Sequence, residues 1–246
     1  MLRHDKRSPD HLREVVIRPN FNRYAEGSAL VQFGHTHVAC SASVESQVPK
    51  WLQGQDKGWI SAEYGMLPRS THERMRREKT ATSGRSQEIS RLIGRSLRSC
   101  VDLYKLKDVQ ITVDCDVLQA DGGTRTAAVT GGYVALALAI HYLRQKDLVK
   151  ENPLLNLTSA VSVGIVGDNC LLDLCYQEDS NADTDCNFVI NNKGGLVEIQ
   201  GTAEDTSFTR SQFDQMLDLA IKGCATLHQN QATVLREAGV DLDGVF

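Results

Sequence analysis

The chain has 246 residues, 41% hydrophobic and 24% charged, with a formal net charge of -4 at pH 7. It is long enough to bury a real core as one large domain or two small ones, and it reads as a soluble globular protein. No apolar run approaches the roughly 20 residues of a membrane span. The charged start MLRHDKRSPDHLRE is unlike a signal-peptide core, so a cytoplasmic location without a membrane partner is expected. Cys40, Cys100, Cys115, Cys170, Cys175, Cys186 and Cys224 are scattered, odd in number and never spaced as CxxC. They indicate neither a disulfide framework nor a zinc site, and are expected as buried small hydrophobes.

Along the chain, residues 28–44 alternate polar and apolar around GHT, a hairpin signal that leaves His35 and His37 beside an exposed turn. Trp59 to Met66 reads as a strand. The run RSTHERMRREK then places Arg69, Arg74, Arg76, Arg77 and Lys79 against Glu73 and Glu78. It is either a solvated charged segment or a grip for a polyanion, in a chain whose net charge argues against nucleic acid. From Ser86 to Tyr104 the period becomes helical: Ile89, Leu92, Ile93, Leu97, Cys100, Val101 and Tyr104 form one stripe, with Arg91, Arg95 and Arg98 opposite. Val109 to Val117 returns to period two and reads as a strand with one buried face, placing Asp114 and Asp116 on a polar face or a subunit contact.

The segment QADGGTRTAAVTGGY joins that strand to a helix expected from about Thr126 to Arg144. A turn at a helix start leaves backbone N–H groups unpaired beside the positive end of the helix dipole, a setting that attracts anions. Gly122 and Gly123 permit close approach, Thr124 and Thr126 add hydroxyls, and Arg125 supplies a fork suited to phosphate. Neither a Walker loop nor a GxGxxG fingerprint is present. The next segments, VSVGIVGDNCLLDLCY and FVINNKGGLVEIQ, read as hairpins turning at GDN and NNKGG. Between them YQEDSNADTDCNF crowds Glu178, Asp179, Asp183 and Asp185, either an exposed acidic turn or a magnesium site. A long helix opens at Thr209 with a Thr-x-x-Gln capping box and continues through Phe213, Met216, Leu217, Ala220, Ile221 and Cys224. An anion cradle, a basic loop, the arginine of SGRSQEI and crowded carboxylates together suit phosphoryl chemistry on a nucleic acid.

Seven runs, EGSALVQFGHTHVACSASVE, GWISAEYGMLPRSTHER, SGRSQEISRLIGRSLR, CDVLQADGGTRTAAVTGGYVAL, AVSVGIV, QEDSNADTD and VEIQGTAED, resemble the ribonuclease PH family in order and spacing, from about residue 9 to 236. The extreme N-terminus, the Arg13–Glu14 step and the ending GVDLDGVF depart from the family pattern. The resemblance implies an α+β (mixed α/β) fold, the ribonuclease PH fold, with mixed sheets packed by helices as in ribosomal protein S5 domain 2. It implies one such domain with halves at about 9–146 and 158–236. It also implies a phosphate-dependent 3'-to-5' exoribonuclease that trims the 3' end of tRNA precursors and other RNAs, releases nucleoside diphosphates and assembles as a hexameric ring, a trimer of dimers.

By the same resemblance Arg85, Gly123, Thr124 and Arg125 hold inorganic phosphate, the co-substrate, and Asp179 and Asp185 form the catalytic acidic pair, taken to hold Mg2+, with either open to delivering a proton. In a ring, copies of Arg69, Arg74, Arg76 and Arg77 would face a common channel and attract RNA although each chain is acidic. A catalytically silent RNA-binding subunit of an exosome-like ring is the other reading. Such a subunit would lack the arginines or the acidic pair, and all are present here. Polynucleotide phosphorylase, with two such cores, is excluded by length.

Overall fold

A computed structural model describes residues 3–77, 83–204 and 207–246. Glu78 and Lys79 of the basic run lie outside the described residues. In chain order the elements are β1 (Val15–Pro19), β2 (Gly27–Phe33), β3 (Thr36–Glu45), β4 (Trp59–Met66), α1 (Gly84–Arg98), β5 (Gln110–Gln119), α2 (Thr124–Gln145), β6 (Thr158–Val166), β7 (Asn169–Leu172), α3 (Tyr176–Asp179), β8 (Thr184–Asn191), β9 (Leu196–Ala203) and α4 (Arg210–Glu237). The first five strands form one sheet in the order β1-β2-β3-β5-β4, and the other four form a second in the order β7-β6-β8-β9. All neighbours run antiparallel except β4 and β5, which are parallel and therefore need the crossover that α1 supplies.

The hairpin expected at 28–44 is β2–β3, with Ser28 opposite Ser41 and Phe33 opposite Thr36. On β5 the alternation is realised residue by residue: Ile111, Val113, Cys115 and Val117 are buried, while Asp116 faces solvent. Helix α2 packs against both sheets. By length and composition it is apolar enough to cross a membrane, which corrects the expectation that no run approaches that size, but 89% of its apolar window is buried inside the protein. It is a core helix. Val134, Leu136 and Ile140 are almost wholly buried there, each contributing about 1.5–3 kcal/mol over exposure. Its hydroxyl at Thr130 donates to the Ala160 carbonyl and accepts from the Ala160 N–H, joining the helix to β6.

Helix α4 begins as expected: Thr209 Oγ1 accepts from the Gln212 N–H and Gln212 Oε1 accepts from the Thr209 N–H. It runs on to Glu237, and Met216, Ala220 and Cys224 are buried, whereas Ile221 is exposed. Helix α1 stops at Arg98, short of the expected Tyr104, because the backbone beyond it finds other partners. Asp102 N donates to the Pro153 carbonyl and Leu155 N to the Cys100 carbonyl. Cys100 and Val101 are still buried, but Tyr104 is exposed.

The basic face of α1 is partly spent within the chain. Arg95 makes a two-pronged contact with Glu198 on β9, and Arg98 stacks 4.5 Å from the Trp59 ring while donating to the Ile60 carbonyl. All seven cysteines are free, and Cys170 alone is not buried. Arg3 and Arg13 are buried in the first described segment, and Val240, Leu242 and Val245 join the core.

Candidate active site

The turn after β5 is built on two successive left-handed residues, Gly122 at φ +74° and Gly123 at φ +65°. Left-handed backbone strains any residue with a Cβ, which accounts for the glycine pair. Gly122 has a second reason: a Cβ there would lie 2.5 Å from the Leu174 carbonyl oxygen and 2.9 Å from Tyr176 N. The turn therefore touches, backbone to backbone, the segment that opens α3. Gly123 caps α2 without a side-chain hydrogen bond, so the first N–H groups of that helix keep their pull on an anion.

Around the turn lies a cleft of about 680 Å³ lined by Arg85, Gly123, Thr124, Arg125, Asp179 and Asp185, together with Met75, His72, Ser162, Tyr176 and Asn187. The six residues singled out for phosphate and acid chemistry thus come together from a helix start (Arg85), the turn and α2, the end of α3, and β8. Asp185 lies on a strand, paired with Gly164 and Thr202, and only Asp179 belongs to the acidic segment before it. The other two carboxylates of that segment have different duties. Glu178 is buried in a bidentate pair with Arg3 at 2.7 Å, and Asp183 accepts from the Gly167 N–H.

Charge in the cleft is organised by neighbours. Arg125 donates to Gln200 Oε1 at 2.8 Å and lies 3.5 Å from Glu88, and Gln200 in turn donates to Glu88. This relay from α1 and β9 restrains the Arg125 guanidinium, while Arg85 stays exposed at the first turn of α1. Thr124 Oγ1 shares a 2.8 Å hydrogen bond with the phenol of buried Tyr64, whose pKa is raised by burial. Asp179 is exposed as a residue, yet desolvation of its carboxyl in the cleft, and then the charge of Asp185, push it above its usual range against the pull of Arg85, Arg125 and Arg13. Two crowded carboxylates of this kind favour a shared cation, and oxygen donors suit Mg2+, which takes one or two carboxylates and completes its shell with substrate phosphates and water. Among the described residues no group of three or more His, Cys, Asp or Glu is placed to hold a metal by itself.

The basic loop lines the cleft with Thr71, His72, Glu73 and Met75, while its arginines lie outside that lining. Arg69, Arg74, Arg76 and Arg77 are exposed; Arg69 faces a neighbouring cavity behind the turn, and Arg76 shares another with Arg85 and Met75. Arg77 acts electrostatically on Asp116. His35 is exposed, as expected of a hairpin turn. Asp114 and Asp116 share a polar groove with Glu63, and burial first, then the Glu63 charge, raises the Asp114 carboxyl. Sequence reasoning missed Tyr64, Gln200 and Glu88, which hold the side chains of Thr124 and Arg125, and Tyr176 and His72, whose ring centroids lie 6.1 Å apart in the same cleft. Only Tyr64 carried a signal, as one member of an alternating strand. The others come from segments that meet in space alone.

Residues 11–140 match the 3' exoribonuclease family, domain 1, and residues 156–223 match domain 2 of the same family. The chain is 58% identical over 236 residues to Ribonuclease PH of Bdellovibrio bacteriovorus, covering 96% of this chain and 97% of that protein. The chain belongs to the ribonuclease PH family. It is also 53% identical over 232 residues to Ribonuclease PH of Methylocella silvestris, covering 94% of this chain and 98% of that protein. A solved structure of the Archaeoglobus fulgidus exosome with RNA bound to the active site superposes with a TM-score of 0.74 at 27% identity, covering 96% of this chain and 92% of that one. The mixed α/β architecture is the family's, and the chain is a phosphate-dependent 3'-exoribonuclease of nucleotidyltransferase type.

Proposed function

We propose that the glycine turn holds the attacking phosphate, with Arg85, Gly123, Thr124 and Arg125 as its ligands, and that the 3' end of a tRNA precursor lies across the cleft toward Asp179 and Asp185. The observation that supports this reading is the convergence of an uncapped helix start, two arginines and two crowded carboxylates on one cleft. Bringing phosphate against a phosphodiester opposes like charges. Arg85 and Arg125 offset that repulsion, and the restrained Arg125 and the backbone N–H groups fix the phosphate for in-line attack on the terminal phosphorus. The bond from phosphorus to the 3' oxygen of the penultimate nucleotide breaks, that oxygen takes a proton, and a nucleoside diphosphate leaves.

Asp179 and Asp185 would hold Mg2+, which when bound supplies neutralisation of charge on the scissile group and the leaving oxygen. The basic loop would bind the body of the RNA from outside the cleft, and a hexameric ring of chains in the cytoplasm would gather six such loops around one channel.

Asp185→Asn tests the acidic pair. It removes charge with little change of shape, so release of labelled nucleoside diphosphate should fall at least 1,000-fold, roughly 4 kcal/mol of barrier, while RNA affinity stays within about twofold. Phosphorolysis within tenfold of wild type would move the acidic site elsewhere.

A further inference from the structure

Arg13 lies outside the cleft's lining, yet its side chain is wedged behind the glycine turn. It is 6% exposed and Asp173 is fully buried. Arg13 Nε and its backbone N–H both donate to Asp173 Oδ2, at 3.0 and 2.8 Å, and Nη2 donates to Oδ1 at 2.7 Å. The far side of the same guanidinium faces the turn: Nη1 donates to the Asp121 carbonyl and Nη2 reaches the Gly122 carbonyl at 3.4 Å. Thr36 Oγ1, from β3, donates to the Gly122 carbonyl at 2.6 Å and accepts from the Asp121 N–H at 3.0 Å. Asp173 is anchored in turn, with its N–H on the Ser162 carbonyl and its own carbonyl accepting from Arg3 and Arg7.

A buried Arg–Asp pair is not in itself a source of much stability, because desolvating both charges offsets their attraction. What the pair supplies is direction. In a trans peptide the C=O and the following N–H point opposite ways. Drawing the Asp121 and Gly122 carbonyls back onto Arg13 and Thr36 therefore turns the Gly122 and Gly123 N–H groups forward, toward the cleft that both glycines line. A planar fork spans Asp173 and the carbonyls together; a lysine ammonium, a single point of charge, does not.

We propose that Arg13, locked on Asp173, is a positioning residue for the phosphate site: it sets the orientation of the turn's N–H groups without touching phosphate itself. The proposal rests on the reading that this turn binds phosphate.

The experiment measures KM for inorganic phosphate, KM for RNA and thermal unfolding in Arg13→Lys, in the neutral pair Arg13→Gln with Asp173→Asn, and in Arg125→Ala. Asn is chosen because position 173 has φ +55°, which Asn tolerates. The expected result is a rise of at least tenfold in the phosphate KM of Arg13→Lys with KM for RNA within twofold of wild type. The neutral pair, which leaves no buried charge unpaired, should unfold near the wild-type temperature yet keep the raised phosphate KM. A wild-type phosphate KM in either folded Arg13 variant would reduce the residue to a structural tie and overturn the proposal. Arg125→Ala separates the two readings. If it raises the phosphate KM and the Arg13 variants do not, only the role of Arg13 falls; if it too leaves that KM unchanged, the phosphate reading of the turn falls and takes the proposal with it.

Discussion

Gly122→Ala perturbs the contact on which the cleft is built, and its cost follows from the backbone. At φ +74° a side chain adds roughly 1–2 kcal/mol of left-handed strain. The new Cβ would also lie 2.5 Å from the Leu174 oxygen, 2.8 Å from Cys175 C and 2.9 Å from Tyr176 N. All three are backbone atoms and cannot swing aside, so α3 must move, at a further cost of about 1–3 kcal/mol. The sum is about 2–5 kcal/mol of destabilisation. Gly123→Ala, at φ +65°, meets only side-chain atoms, the nearest being Arg13 Nη2 at 3.1 Å, so roughly 1–2 kcal/mol of strain is expected there. Gly84→Ala at the start of α1 meets nothing within 4 Å and should be neutral or slightly stabilising. Urea unfolding of the three variants gives the order, read from midpoints with unchanged slopes. Because Asp179 ends α3, phosphorolysis by folded Gly122→Ala should fall at least 100-fold. A Gly122→Ala protein within about 0.5 kcal/mol of wild type, or one less destabilised than Gly123→Ala, would refute the close approach of turn and helix.

Other expectations can be checked independently. Replacing Arg74 and Arg76 by Ala should weaken binding of structured tRNA precursors and reduce the slope of log K against log salt by up to about 2, since each lost phosphate contact removes roughly one released counterion; an unchanged slope would make the loop a solvated face. Burial pushes the His228 imidazole down to about 4, where it stays neutral against the Ile190 carbonyl. Its contribution is present above the unfolded value near 6.5 and is lost as pH falls toward 4, about 2 kcal/mol between pH 7.5 and 5. Denaturant midpoints across that range should show the loss in wild type and a flatter profile in His228→Gln, and equal profiles would contradict it.

Elements with a local cause were legible in the sequence. The period-two run of β5, the capping box at Thr209 and the glycine turn before α2 depend on near neighbours, and each stands where it was expected. Where tertiary bonds compete, local pattern failed. The stripe beyond Arg98 kept its burial at Cys100 and Val101 but lost its helix to residues 153–155, and Asp185 was drawn from an apparent acidic turn into β8 by pairing with Gly164 and Thr202. The supports of the site were the least visible. Arg13 and Asp173 are 160 residues apart and Arg125 and Gln200 are 75 apart, and no spacing rule links either pair. The departure at the Arg13–Glu14 step leaves untouched the guanidinium that reaches the turn.

The central claim is that the glycine turn and its arginines hold the attacking phosphate. Isothermal titration of inorganic phosphate into the RNA-free protein measures this without turnover. Wild type should bind one phosphate per chain, and Arg125→Ala should bind it about 10- to 100-fold more weakly, the loss of a charge-assisted hydrogen bond worth roughly 1.5–3 kcal/mol. Equal phosphate affinity in the two proteins would contradict the account.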